Sequence, residues 1–353
     1  MAKIRFASVV IAAAAGVLVC SAGGLGQDAE RARQLLLKTL ERNFSQNVVA
    51  LISQRGPGDG DAFQRIQVQI SRDGKVRQTV IYPLSMQGVE TIDNGQQSAT
   101  YLPDEGLILV QESSRLLPND TATRISLTVK NYSLSVSGTS KVAGQSAAIV
   151  TATPRSRGLE KRRYYIDQNT GFLLQLETID GSGNAKVAFR TQQVSYPPKI
   201  NAEAFKVDLE SRDGQKIVYR RRTGLFDGSK GSPSVGFKPI LPSELPFGFA
   251  MQDAQINDSG NYRSVAVRIT DGLVKGTVYQ YSTTTAKNLK AMPGTTIGDA
   301  AGVRFFIAAD IPESARERIL EAFVEAAQKK LWIPRPGPSA QVELSPVLDA
   351  LTR

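Results

Sequence analysis

Few residues in this chain are equipped for chemistry, and their types narrow the field. Its 353 residues include no histidine and a single cysteine, Cys20, which sits in an N-terminal leader. That removes a Ser-His-Asp triad, a histidine general base, a cysteine nucleophile in the mature chain and the usual zinc ligand sets. Carboxylate pairs, Ser-Lys arrangements and oxygen-ligand metals are what is left. Four acids come forward: Asp167, Glu177, Asp271 and Asp310. Each already has a structural post in its local pattern. Asp167 opens the turn DQNTG, Glu177 falls on the exposed side of a strand, and Asp271 pairs with Gly272 in a hairpin turn. Asp310 precedes Glu313 by three residues, as a capping box requires, with Pro312 in the first turn. No catalytic role is assigned to them, and no metal or cofactor is expected.

The cations fall into two clusters. Arg155, Arg157, Lys161, Arg162 and Arg163 crowd one loop. Lys216 to Arg222 (KIVYRRR) carries Arg220, Arg221 and Arg222. Each cluster is interleaved with or followed by tyrosine. They are candidates for an acidic peptide segment or a phosphorylated headgroup, the other reading being a solvated loop and strand edge. Net charge is +10, or +8 once Lys3 and Arg5 leave with the leader.

The elements that must position these groups centre on residues 131–180. Tyr132, Leu134 and Val136 alternate with serines, so one face is apolar and the other wet. Val142-Ala143-Gly144 turns the chain, and Ala147–Thr153 returns. Tyr164–Ile166 is the next strand. Gly171 suits a positive φ, and Phe172, Leu174 and Leu176 are expected to share one face of the strand after it. Such a meander needs a cover. Asp28 is expected to cap a helix running to about Asn43, with Ala29, Ala32, Leu36 and Leu40 on one side. A second short helix is expected from Pro118 over Ile125 to Val129. Strands follow the first helix at Val48–Ser53, at Ile66–Ile70 and Val76–Tyr82 around Asp73-Gly74, near 88–92, 98–102 and 107–111, and later at 185–192. The fold class is α+β: a strongly curved antiparallel sheet, a half-barrel, covered by helices, then a smaller α+β domain. The apolar face made by Leu36, Leu40, Tyr132, Leu134, Val136, Phe172, Leu174 and Leu176 is either an ordinary core or the lining of a lipid cavity, and alternation alone does not separate the two.

Residues 1–26 have the form of a secretory signal peptide: Lys3 and Arg5, then an apolar run from Phe6 to Val19, then small residues. Cleavage fits after Ala22 or Gly26. Cys20 raises a lipoprotein anchor as an alternative, against which stands the bulky Val19. An exported chain with no cysteine left must be held by its core alone. The half-barrel is expected over 27–227. The Gly-, Pro- and Ser-rich residues 228–244 read as a linker. A small domain of order β-β-β-α follows at 245–332, with a hairpin at Asp271-Gly272, a strand at Gly302–Ala309 and a helix whose inward side is Ala315, Ile319, Ala322, Phe323 and Ala326. Residues 333–353 read as a flexible tail.

NYSLSVSGTSKVAGQSAAIVTATP and RRYYIDQNTGFLLQLETID resemble the N-terminal domain of the MucB/RseB family, exported regulators of an envelope-stress sigma factor. LPFGF at Leu245–Phe249, ITDGLVKGTVYQY at Ile269–Tyr281 and GVRFFIAADIP at Gly302–Pro312 resemble the smaller C-terminal domain of that family. The resemblance spans roughly residues 27 to 330 and implies a large domain with the half-barrel fold of the lipoprotein carriers LolA and LolB. It implies a non-enzymatic, periplasmic protein whose partners are the exported domain of a membrane-bound anti-sigma factor and an acyl chain, glycolipid or lipoprotein. Lipid binding would loosen the grip on the protein partner. Nucleic acid is not expected, because the leader sends the chain elsewhere. A plain lipid carrier of the LolA type and an exported enzyme are the competing classes. The second domain favours the regulator, since a carrier needs only the half-barrel.

Overall fold

The computed structural model describes residues 22–40, 46–55, 63–113, 118–209, 214–220, 235–258, 263–287 and 294–329. Two sheets organise them.

The larger sheet has twelve strands in the order β12-β6-β5-β4-β3-β2-β1-β11-β10-β9-β8-β7. The first six are β1 (Val48–Arg55), β2 (Phe63–Ile70), β3 (Val76–Tyr82), β4 (Glu90–Asp93), β5 (Gln97–Leu102) and β6 (Leu107–Glu112). The others are β7 (Tyr132–Val142), β8 (Gln145–Pro154), β9 (Lys161–Asp167), β10 (Leu173–Ile179), β11 (Ala185–Ser195) and β12 (Lys216–Arg220). All pairings are antiparallel except the last, where β12 lies parallel to β6. The sheet does not close, so β7 and β12 remain as edges. Register shifts interrupt β1–β11, β10–β11, β9–β10, β2–β3 and β7–β8. Bulges of this kind bend strands and increase twist, which is how so wide a sheet curves.

Alternation builds the cores. On β2, Ile66, Val68 and Ile70 are buried while Phe63, Arg65 and Gln67 are exposed. Helix α1 spans Ala22–Leu40 and lays Ala32 and Leu36 on Tyr132, Val150, Ala152, Tyr164 and Ile166. It starts six residues before Asp28, so Asp28 lies inside the helix and caps nothing; it ends at Leu40, and Asn43 falls outside the described residues. Helix α2, Pro118–Asn131, sits against α1, the start of β7 and the turn Pro246–Gly248. It therefore touches both domains rather than only roofing the meander.

One expected grouping is corrected. Leu174 is the extra residue where β10 slips against β9: Leu173 pairs with Ile166 and Gln175 with Tyr165. Phe172 and Leu174 consequently pack with Tyr165 and the β1–β3 cluster, whereas Leu173 and Leu176 pack in the cluster beneath α1. The bulge breaks the period of two that put Phe172, Leu174 and Leu176 on one face.

The smaller sheet has order β13-β14-β15-β17-β16: β13 (Ala250–Asp258), β14 (Arg263–Thr270), β15 (Lys275–Ser282), β16 (Thr295–Ala300) and β17 (Val303–Ala309). It holds two strands more than the expected β-β-β-α order. Helix α3, Glu313–Gln328, buries Ala315, Ile319, Leu320, Phe323, Ala326 and Ala327 on it, and Ala322 is half-buried. The residue at its N-cap is Pro312, with no side-chain cap, so the expected Asp310–Glu313 capping box does not form.

The stretch read as a linker is part of this domain from residue 235 onward. Val235 and Ile240 are buried in its core, with Phe237 and Leu241 packed alongside. Fully buried Gln280 clamps Ile240 through both main-chain groups: Ile240 N donates to Oε1 at 2.8 Å and Nε2 donates to Ile240 O at 2.6 Å. Residues 1–21, 221–234 and 330–353 fall outside the described residues, and with them Cys20, Arg221, Arg222, Lys330 and the expected tail.

Candidate functional site

Asp271, Asp310, Arg162 and Tyr132 converge where the two domains meet. Four stretches supply them: the α2–β7 junction, the β8–β9 loop with the start of β9, the β14–β15 hairpin turn, and the link between β17 and α3.

The hairpin turn is the insert. Asp271 Oδ1 accepts from Leu273 N at 3.0 Å and Val274 N at 2.8 Å, an Asx turn that shapes the loop. This leaves Oδ2 facing the large domain, where the Tyr132 hydroxyl donates to it at 2.6 Å. Asn131 Nδ2 donates to Asp271 O and to Gly248 O, both at 2.9 Å. Arg124 Nε donates to Gly272 O at 3.2 Å. Gly272 has φ +107°, and a Cβ there would collide with the backbone of Thr128 in α2. Gly248, at φ +74°, would likewise collide with the Asn131 amide. Both positions need glycine for backbone conformation and for close approach.

The second contact is Arg162. Its side chain is almost wholly buried, and Nη2 donates to Asp310 O at 2.5 Å and to Asp310 Oδ2 at 3.1 Å. Asp310 therefore serves the interdomain contact in place of the expected cap. Apolar side chains are exchanged as well: Leu159 packs on the small-domain core, and Leu273 packs on the cluster beneath α1. A tight crevice between the domains is lined by Tyr132, Leu159, Glu160, Arg162, Val274, Asp310, Ile311 and Pro312.

Electrostatics follow from this burial. Burial pushes the Asp271 carboxyl above the usual range, against the pull of the Tyr132 hydrogen bond and the turn N–H groups. Burial also raises Glu160, with Arg162 opposing and Asp310 adding to the rise. Tyr132 is raised by burial and by the Asp271 charge, and Tyr164 is pushed up to about 12 by burial. For Arg162, burial works against the charge, but Tyr164, Asp310 and Tyr132 outweigh it and the guanidinium stays protonated.

The remaining candidates separate. Leu36, Leu40, Tyr132, Leu134, Val136 and Leu176 share the cluster beneath α1, and Phe172 and Leu174 lie apart from it. Arg155, Arg157 and Lys161 are exposed. Arg162 is the interdomain contact, and Arg163 Nη1 donates to Glu177 Oε2 at 3.0 Å, so the loop is not one continuous basic surface. Glu177 also accepts from Tyr165 and Gln175. Asp167 accepts from the Tyr196 hydroxyl at 2.5 Å and from Asn169 N and Thr170 N in its turn. All four acids thus have structural partners. Arg220 ends β12. Among the described residues no three His, Cys, Asp or Glu side chains gather as a metal site. No described helix is long and apolar enough to cross a membrane. The sequence reading missed Asn131 and Arg124 as contact residues. Their only signal was position, next to a strand start and on a helix called short.

Residues 41–209 match the family described as the MucB/RseB N-terminal domain. The large domain is a MucB/RseB N-terminal domain. The two-domain architecture is similar to the crystal structure of MucB, with TM-score 0.57 and 15% identity, covering 83% of this chain and 97% of that one. It is also similar to the complex of Pseudomonas aeruginosa MucA and MucB, with TM-score 0.56 and 17% identity over 83% of this chain and 98% of that one. A third similar structure is MucB in complex with MucA(peri), at TM-score 0.53 and 17% identity over 84% and 98% of the two chains. At these identities the likeness is one of fold. No curated protein matches the sequence significantly. In this MucB/RseB domain, Tyr132 belongs to two systems at once: its ring lies in the cluster beneath α1 and its hydroxyl binds Asp271 of the small domain.

Proposed function

We propose that this protein is an exported, non-enzymatic regulator. It holds the extracytoplasmic part of a membrane-bound anti-sigma factor, and lipid or lipoprotein taken up by the half-barrel weakens that hold. Its place of work is the periplasm, reached through the leader at residues 1–26. Partner binding is supported by the family of the large domain and by a two-domain fold like that of MucB, two of whose similar structures are complexes with MucA.

The single observation that carries the coupling is the double membership of Tyr132. An acyl chain admitted between α1 and the strands below it must displace side chains of the Tyr132 cluster. Packed interiors do not yield without rearranging their neighbours. The Tyr132 hydroxyl then leaves Asp271, and the affinity of the small domain for its partner changes with the domain arrangement. A ligand shifts such an equilibrium only by its differential affinity for the two arrangements.

Native mass spectrometry of the mature protein tests the uptake. An acyl-bearing adduct, retained from cells or loaded in vitro, is expected. If none copurifies and none can be loaded, the lipid half of the proposal falls. A pull-down from envelope extract, with a membrane-bound anti-sigma protein as the expected capture, tests the other half.

A further inference from the structure

Among the described residues, four of the seven exposed large apolar side chains gather at one place: Phe63 (36%), Ile81 (39%), Tyr82 (53%) and Leu84 (78%). We propose that this tip, at the β2–β3 end and the turn after it, docks the protein on an anionic lipid bilayer surface. This goes beyond the regulatory reading, because it uses the exposed side chains of β2 and not the buried Ile66, Val68 and Ile70.

The tip is held outward. Gly88 N donates to Val80 O at 3.0 Å and Val80 N donates to Val89 O at 2.9 Å, which closes the neck of the turn. Within it, Met86 N donates to Pro83 O and Gln87 N to Leu84 O. Met86 faces back, packing on the β1–β3 core and accepting from Gln64 Nε2 through Sδ. The turn thus has an anchored side and an exposed apolar side. An exposed apolar group presented on a fixed turn marks an interaction site more than a scattered surface leucine does.

Cations stand behind it. Arg65 is the cross-strand partner of Tyr82, with its guanidinium 5.9 Å from the ring centroid. Ser53 partners Arg65 on one side and exposed Arg190 on the other. Direct cross-strand partners share a face, so Tyr82, Ser53, Arg65 and Arg190 form one row that contains no acid. An aliphatic and aromatic tip backed by arginines suits a bilayer whose phosphates are anionic: Tyr and Leu enter the interfacial layer and the guanidinium groups meet phosphate. This charge complementarity, in a mature chain of net charge +8, favours a bilayer over an apolar protein groove.

Flotation of the mature two-domain protein with vesicles tests this. Phosphatidylcholine vesicles are compared with phosphatidylcholine–phosphatidylglycerol vesicles. Wild type is expected to bind the anionic vesicles about tenfold more tightly, and the Tyr82→Ser/Leu84→Ser double variant to lose about tenfold of that affinity. Arg65→Gln/Arg190→Gln is expected to remove most of the salt dependence. Equal binding by wild type and the tip variant, or no binding by wild type, overturns the proposal. So does a tip variant that loses the anti-sigma segment while keeping vesicle binding, because the patch is then a protein contact. Acyl loading and partner binding by the same variants are expected to stay at wild-type levels. Their failure in the wild type would instead sink the regulatory reading and leave docking standing.

Discussion

Tyr132 and Asp271 carry the residue-scale account. The Tyr132 ring is buried and its hydroxyl donates to a carboxylate that burial has made costly to ionise. Tyr132→Phe keeps the ring and strands Asp271 Oδ2. Leaving a buried polar group without its partner costs about 1–3 kcal/mol, so urea unfolding of the variant should show a loss of that order. A change below about 0.3 kcal/mol would mean that water replaces the hydroxyl at no cost. Asp271 also predicts a pH dependence. Its pKa is raised on folding, so the folded state holds the proton more tightly than the unfolded one. The contribution is intact below the ordinary value of 3.8 and is lost as pH rises through the raised value. Glu160 shifts in the same direction. Asp271→Asn keeps an acceptor for the turn and removes the titration. Wild type should therefore lose stability relative to this variant as pH rises from 3.8 through the raised value, and parallel stability–pH curves would contradict the assignment. Sequence reasoning placed Asp271 and Gly272 in a hairpin turn, and the turn is there. It could not see Tyr132 across 139 residues of chain separation, because hydrogen bonds between distant segments leave no local pattern.

At the scale of elements, period and turn chemistry carried most of the information. The hairpins at Asp73-Gly74 and Asp271-Gly272, the alternation on β2 and β7, and the inward side of α3 were all legible. The failures have physical causes. Leu174 sits in a bulge, and a bulge breaks alternation without a composition signal. β13 (AMQDAQIND) is poor in β-branched and aromatic residues, and β16 (TTIGDA) is short and ends in Gly298, Asp299 and Ala300; they exist because β14 and β17 offer them an edge. Residues 235–244 have linker composition, yet Val235 and Ile240 anchor them in the small-domain core. Gly272 gives the element-scale test. Its approach to α2 leaves no room for a methyl group, and the colliding atom is backbone, which cannot swing aside as a side chain would. Gly272→Ala should part the hairpin from α2 while each domain stays folded. Far-ultraviolet circular dichroism is then unchanged and small-angle scattering gives a larger radius of gyration. An unchanged radius would show that the contact absorbs the methyl group.

For the whole molecule, the two domains are joined by side chains that belong to the interior of each: Leu159 in one direction, Leu273 in the other, with Arg162 and Tyr132 as buried polar ties. Buried polar ties of this kind are strong only while fully partnered, which makes the joint suited to two discrete states. The proposed regulator uses that property: lipid beneath α1 and partner on the small domain would be linked through Tyr132, and linkage is reciprocal. Isothermal titration of the mature protein with the exported segment of the anti-sigma protein, with and without a loaded acyl ligand, measures this directly. The account predicts binding in the absence of ligand, at least about fivefold weaker binding with it, and a smaller difference in Tyr132→Phe. Equal affinity with and without ligand, in a protein shown to carry the ligand, would contradict it.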